Sequence, residues 1–425
     1  MADAVTHWND VLLKVVRGLR GKSSLPGPIT RGGAMMHAAI YDAVNSIAPS
    51  THRPYLVSVP SAPGASIEAA IAHAAHDTLA AAFPTTTVDL TAERESALAA
   101  LPAGADVPGG RTVGKAAAQA MIEARTGDGA NDNTPYVPGN QPGDWRPTGS
   151  GPVGTPNWPS VKPFGIPAGN AFRPPRPGGY PSKPQMLASS EYAAQFNEVK
   201  LLGRCNSTTR TREQREVAFF WANDADGTYK PPGQLFDIAQ VVSDQKGLRL
   251  VDNARLFALV AVAMADAAIV AWDAKFATTL DLWRPETAIK LAASDGNLAT
   301  TADAQWQPLS FDPTTGSPTS GKHFSPPFPA YVSGHATLGA AHFGVMRRFF
   351  GTDSVTFTAG TEDPNLPPSP AVRRTFNSLT QAALEEARSR VYLGVHFDWD
   401  GKLGFLSGSA VAEYVYDHVL RPIGA

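Results

Sequence analysis

The sequence predicts an all-α protein, two bundle-like helical halves joined by a long irregular segment. Apolar residues recur at the 3.6-residue helical period over most of the 425 residues. Strand-like alternation is scarce. Between Gly127 and Pro184 proline and glycine crowd the chain (PGNQPGDWRPTGSGPVGTPNWP, then FRPPRPGGYPSKP), so no regular element persists there. The expected division is 1–126 for an N-terminal helical half, 127–184 for a segment laid over the surface, and 185–425 for a C-terminal half carrying the site.

In chain order, residues 5–18, 33–47 and 67–83 have alanine-rich apolar faces, and 111–125 (RTVGKAAAQAMIEAR) repeats the pattern before Gly127 stops it. The alanine-rich surface at 67–83 also offers a face on which a homodimer can pair. Trp145, Trp158, Phe164, Phe172 and Tyr180 punctuate the irregular segment. Solvated linkers rarely carry such aromatics, so the segment is expected to be anchored. Helices resume at 189–203 behind Ser189 or Ser190, at about 209–222, and at 250–279. The last is apolar on more than one face and belongs at the centre, with neighbours on most sides. Residues 333–350, 371–393 and about 401–419 complete the chain.

Composition narrows the function classes. With 43% hydrophobic and 17% charged residues the chain can bury a large core, and a formal charge of −2 supplies no basic field for nucleic acid. The single cysteine, Cys205, rules out an internal disulfide framework and fits a reducing compartment. The first residues, MADAVTHWNDVLLKVVRG, put acids and a tryptophan where a signal peptide needs a basic region and an apolar run. The longest apolar candidate, Leu256 to Val270, is interrupted by Asp266 and is too short to span a bilayer. A cytoplasmic protein without membrane or nucleic-acid partners is the expectation.

Three stretches concentrate chemistry. In PPFPAYVSGHATLGAAHFGVMRRFF, residues 326–350, an extended approach ends at Ser333-Gly334-His335. Ser333 is a good N-cap, the first-turn amides behind it have no partners of their own, and such a helix end attracts anions. His335 sits at its mouth, able to give or take a proton near neutral pH. In ALEEARSRVYLGVHFDWDG, Arg390 and His396 diverge on an unbroken helix but converge if it ends near Gly394. Asp398 and Asp400 are at hand to fix the imidazole. In VAWDAKFATTLDLWRPETAIK, Arg284 precedes Pro285, and Trp272 stands one turn before Lys275. Two arginines, a lysine, a helix N-terminus and two histidines suit a multiply charged oxyanion.

Plainer readings stand beside these. Lys275 can be a solvated helix lysine paired with Asp281 or Asp273, and Arg390 can pair with Glu386 at the surface. His73 and His76 lie three apart on a helix but lack further ligands, so surface placement is expected. His342 packs along the His335 face. Asp266, an acid on an apolar helix, either orients a pocket cation or fills a polar gap. A scaffold that keeps an anion site for structure alone needs no proton donor, which speaks against it.

Taken together, Lys275, Arg284-Pro285, Pro329-Ala-Tyr-Val-Ser333-Gly334-His335 and Ser389-Arg390-Val-Tyr-Leu-Gly394-Val-His396 resemble the three-part signature of the vanadium-dependent haloperoxidases and the related acid phosphatases (PAP2 superfamily). The first part departs from that pattern. The family's Lys and Arg are usually seven residues apart; here they are nine apart, which on a regular helix puts them on opposite faces. A bulge or break between Thr278 and Leu282 is needed to bring both in. The resemblance implies a vanadium chloroperoxidase/acid phosphatase-like helical fold. It implies vanadate bound by Lys275, Arg284, Ser333, Gly334, His335, Arg390 and His396, with His396 as vanadium ligand and His335 as acid/base. It also implies hydrogen peroxide, halide and a small organic molecule as substrates, with Trp272 and Phe328 walling the halide pocket. Phosphate fits the same site. The alternative implied activity is phosphate monoester hydrolysis through a phosphohistidine at His396, with His335 protonating the leaving alcohol.

Overall fold

Side-chain caps written into the sequence set many of the helix ends. Asp3, Ser66, Asp89, Asp106, Ser189, Thr211, Ser333 and Ser378 each accept a first-turn amide. The computed structural model describes residues 3–48, 51–61, 63–149, 151–316 and 320–424. The first helices are α1 (Ala4–Gly18), α2 (Pro26–Ile47), α3 (Ile67–Ala82), α4 (Leu90–Ala99) and α5 (Val107–Arg125). After the irregular segment come α6 (Lys183–Leu187), α7 (Ser190–Leu202), α8 (Arg212–Phe220), α9 (Lys230–Lys246) and α10 (Leu250–Phe276). The chain ends with α11 (Pro285–Lys290), α12 (Gly334–Phe350), α13 (Leu379–Tyr392) and α14 (Asp398–His418). Two small antiparallel ribbons join β1 (Phe311–Asp312) to β2 (Lys322–His323), and β3 (Phe357–Gly360) to β4 (Arg373–Phe376).

The fold is all-α in character, as expected, and its centre is α10. Every residue from Leu256 to Lys275 is buried. Helices α2, α3 and α5 pack together on one side of it, and α12, α13 and α14 on the other. One apolar core runs from α1 and α2 through α10 into α12 and α14. By length and composition the 27-residue helix, with an 18-residue window of mean hydropathy 2.0, passes as a membrane span, contrary to the expectation from its sequence. Its apolar window is 94% buried inside the protein, so it is a core helix.

Some expectations are corrected. Helix α2 starts at Pro26, well before 33, because proline is tolerated in a first turn; its glycines admit the rings of Trp158, Phe83 and Phe236 at Gly27, Gly32 and Gly33. Helix α9 opens on Lys230-Pro231-Pro232 for the same reason, where no helix was expected. Residues 373–376 are strand β4, so the helix expected from 371 begins only at Leu379 behind its cap Ser378. Ala69, Ala70, Ala72, Ala74 and Ala75 of α3 are buried in the helix packing with α2 and α5, so of the alanines on the expected homodimer face only Ala80 and Ala81 are exposed. His73 is also buried, contrary to surface placement, and burial pushes its pKa down to about 4; His76 hydrogen-bonds Asp77 at 2.6 Å.

The irregular segment is fastened at several points. Trp145, Trp158 and Phe164 are buried. Asp266, on α10, accepts the amides of Phe164, Gly165 and Ile166 at 2.7, 2.7 and 2.9 Å. That resolves its two expected roles: it satisfies the segment's backbone. Upstream, the Trp145 amide donates to the Asp281 carbonyl at 2.7 Å and the Trp283 amide to Gly143 at 2.9 Å. The Gly154 amide donates to Pro327 at 2.7 Å. The segment thereby braces the loops that deliver Arg284 and Ser333.

Candidate functional site

The turn at Gly394 makes Arg390 and His396 converge. Helix α13 ends at Tyr392, and Gly394 adopts φ +82°. A Cβ there would stand 2.4 Å from the Gly203 carbonyl oxygen, so the turn requires glycine. Just beyond it, Asp400 in the first turn of α14 accepts a hydrogen bond from His396 Nδ1 at 3.0 Å and from the Phe397 amide at 3.1 Å. The Asp400 carbonyl accepts the Ser333 amide at 3.0 Å, which ties α14 to the start of α12. Arg284 Nη1 lies 2.9 Å from His396 Nε2. A guanidinium only donates, so Nε2 presents its lone pair and Nδ1 carries the proton. Burial, then the charges of Arg284, Lys275 and Arg390, keep this imidazole well below its usual pKa and neutral.

The break in the third stretch is present. Helix α10 stops at Phe276, Asp281 has φ +39°, and Arg284 caps α11 with Pro285 at its start. The nine-residue spacing therefore brings Lys275 Nζ within 5.1 Å and the Arg284 guanidinium within 4.9 Å of the same Phe328 ring. Their hydrogen bonds differ. Arg284 donates from Nε to the Phe328 carbonyl at 2.8 Å and from Nη1 to Val395 at 2.7 Å, while Nη2 has no partner. Lys275 donates to the carbonyls of Pro329 at 2.7 Å, Ala330 at 3.1 Å and Val332. It is fully buried, and Asp273 pairs with Arg173 instead, so the solvated-lysine reading fails. Burial and Arg284 press its pKa down and Asp400 opposes them. Three carbonyl acceptors match the three protons of an ammonium, so it stays charged.

Arg390 bonds Asp224 through Nη2 at 3.3 Å, leaving Nε and Nη1 without partners. His335 Nε2 is likewise unpartnered. Arg390, His335, Gly334 and His396 border a cavity of about 160 Å³ walled by Trp272 and Phe328. Those two rings are 4.9 Å apart, and Trp272 Nε1 donates to the Gly154 carbonyl at 2.9 Å. Ser333 caps α12 next to Gly334 of this wall, its side chain accepting from the Ala336 amide at 3.4 Å. Buried donors without acceptors cost free energy, so this cluster is built for a bound acceptor. His335 is held well below its usual pKa by burial and then by Arg390, against the carbonyls of Ala222 and Trp221.

Sequence reasoning missed two residues here and misplaced a third. Asp224 and Lys230 come from a turn, NDADGTYK, with no helical period to flag it; Lys230 Nζ donates to the Asp224 carbonyl at 2.8 Å and to Asp226 at 3.0 Å. Glu386 is the third. It is buried, not a surface partner of Arg390, and its Oε2 has no hydrogen bond. Burial raises it well above the usual carboxyl range, with Arg390 opposing.

Residues 255–425 match the family model described as the VCPO second helical-bundle domain. This part of the chain is similar to the second helical-bundle domain of the vanadium chloroperoxidases. The vanadium chloroperoxidase of Curvularia inaequalis is 31% identical over 236 residues, which cover 46% of this chain and 37% of that enzyme's length. Likeness of fold extends further. A bacterial vanadium-dependent iodoperoxidase superimposes with a TM-score of 0.77 at 22% identity, covering 99% of this chain and 96% of that one. A bacterial vanadium-dependent chloroperoxidase gives 0.72 at 18% identity, covering 94% and 93%. The matched residues include Trp272, Phe328, Gly334, His335, Arg390 and His396 of the cavity wall, while Leu25, Asp224 and Lys230 lie outside the match.

Proposed function

We propose that the protein is a vanadate-dependent haloperoxidase, oxidising halide with hydrogen peroxide to a hypohalous acid equivalent that halogenates organic molecules. The observation that carries this reading is the pairing of unsatisfied donors with one lone pair. Arg284 Nη2 and Arg390 Nε and Nη1 have no acceptors, while His396, its tautomer fixed by Asp400, presents an Nε2 lone pair that meets only Arg284 Nη1, at 2.9 Å. An oxyanion with a Lewis-acidic central atom would answer both needs. In this reading Arg284, Arg390, the Ser333 hydroxyl and the Gly334 amide hold vanadate oxygens, and His396 ligates the metal. Lys275 adds charge and fixes the 329–332 backbone, its own donors being engaged.

When bound, vanadate supplies a Lewis-acid centre that polarises hydrogen peroxide for attack by halide. The cationic groups stabilise the charge that develops on its oxygens. His335 is neutral beside Arg390 and gains proton affinity once an anion offsets that charge. It is then placed to take a proton from peroxide and return one to the departing oxygen. Trp272 and Phe328 keep that corner apolar, where a weakly hydrated halide is less shielded by water.

The test compares protein stripped of oxyanions with and without added vanadate, reading peroxide-dependent bromination or chlorination of monochlorodimedone and hydrolysis of p-nitrophenyl phosphate. Halogenation that requires vanadate, and its loss by at least about 10³-fold in His396→Ala with the fold intact, is expected. Unchanged turnover in that variant would overturn the site. Turnover of the phosphate ester alone would assign the phosphatase chemistry instead.

A further inference from the structure

We propose that a second cavity, of about 550 Å³, binds an uncharged aromatic acceptor for the oxidised halogen. The proposal rests on the haloperoxidase reading. This cavity shares Leu25 and Pro327 with the small cavity that holds His335 and His396, so the two adjoin. Its size lies within the range of small-molecule sites. The irregular segment builds most of its wall, including Pro135, Pro152, Val153 and Pro156. Flat pyrrolidine and aliphatic surfaces suit the face of an aromatic ring.

The charged groups in the wall are hydrogen-bonded to neutral neighbours. Lys22 Nζ donates to Asn133 Oδ1 at 2.7 Å and to the Asp132 carbonyl at 3.3 Å. The Asp132 carboxylate accepts from the Thr134 amide at 2.8 Å and its hydroxyl at 2.7 Å. An uncharged ligand therefore leaves these hydrogen bonds in place. A larger cavity, about 710 Å³, adjoins the site at Asp224 and Phe324, and its wall holds four carboxylates, Asp224, Asp226, Asp312 and Asp363, against one cation, Lys322. It suits cations, and Asp224 stands between it and Arg390.

The transfer balances without another reagent. Hypohalous acid and an aromatic C–H give C–X and water: the ring's electron pair forms the carbon–halogen bond as O–X breaks, and the ring proton leaves with the released hydroxide. The ring carbon is oxidised and the halogen reduced. An acceptor bound next to the site intercepts the oxidant before it diffuses away.

Phenol is the probe. Its binding to the protein is followed by NMR without vanadate, and its ortho-to-para bromination ratio is compared with that from reagent hypobromous acid. Wild type should bind phenol and shift the ratio at least about fivefold from the reagent value, an effect of about 1 kcal/mol in selectivity. Val153→Trp, which fills the cavity, and Val153→Asp, which charges it, should weaken phenol binding at least about tenfold and restore the reagent ratio, with bromide oxidation within about twofold of wild type. A reagent-like ratio in wild type overturns the proposal, as does a shifted ratio that survives both variants. A preference for cationic tyramine that disappears in Asp226→Asn also overturns it, by moving the acceptor to the acidic cavity. If bromide is not oxidised at all, the haloperoxidase reading fails; phenol binding and its sensitivity at Val153 still decide the cavity.

Discussion

His396 is useful only as one tautomer, and Asp400 selects it. The carboxylate holds Nδ1–H at 3.0 Å and so leaves the lone pair on Nε2, beside Arg284. Burial raises Asp400 to about 7, with Lys275 and the Phe397 amide pulling it down. Asp400→Asn keeps the size and removes the charge. Its vanadate affinity should fall about 10- to 100-fold with little change in melting temperature, as read by vanadate titration of the apoprotein. At this scale the signature residues were legible because their types and spacing carry the chemistry themselves. Asp224, which occupies one face of Arg390, was not legible, since only folding brings a turn 166 residues away to that guanidinium. For the same reason Glu386 read as a surface partner and lies in the core. Lys275 reaches the site region as the helix-break argument required, yet how its protons are used depends on three carbonyl directions that no spacing encodes.

Gly394 and Gly203 meet back to back, and this contact sets how α13 ends. Gly394→Ala places a Cβ in the left-handed region, which costs about 1–2 kcal/mol, and against the Gly203 carbonyl at 2.4 Å. Chemical denaturation should show a loss of at least about 2 kcal/mol, with overpacking adding to the backbone term. Turnover should fall by more than that loss of stability explains, because Arg390 and His396 lie on either side of the turn. A variant destabilised by that amount yet fully active would show that the turn does not set their geometry. Helices with strong period and a capping residue were readable in the sequence to within a few residues at most ends. Strand β4 was not, because it is four residues long and its partner β3 lies outside the segment read as helix. Helix α9 was hidden by the prolines in its first turn.

Across the whole molecule, α10 binds both bundles into one core, so acid and heat act on the two together. His342 shows how. It is buried in α12 with both ring nitrogens unpartnered, and burial pushes its pKa down to about 3. Below about pH 6.5 the unfolded chain takes up a proton that the folded imidazole refuses, so stability is lost as pH falls, at up to about 1.4 kcal/mol per unit. His342→Leu removes this term. Its stability relative to wild type should rise by about 2–3 kcal/mol between pH 7.5 and pH 4.5, measured by denaturant unfolding at each pH. A constant difference would place the proton elsewhere. Asp266→Ala tests the other global device, the fastening of the irregular segment. Three amides lose their acceptor, each costing on the order of 1 kcal/mol, and limited proteolysis within 127–184 should accelerate at least about tenfold. The two-bundle plan and the anchored segment were legible from periodicity and aromatic placement; the identity of the fastening acid was not, since its acceptor geometry needs the folded loop.

Those fastenings have an evolutionary consequence. Trp145 and Gly154 are held by backbone hydrogen bonds, and between them residues 147–149 and 151–152 are exposed. Insertions, deletions and drift can accumulate in that short stretch while both ends stay in place. A lineage can thus retune what approaches the site without disturbing the residues that do the chemistry there.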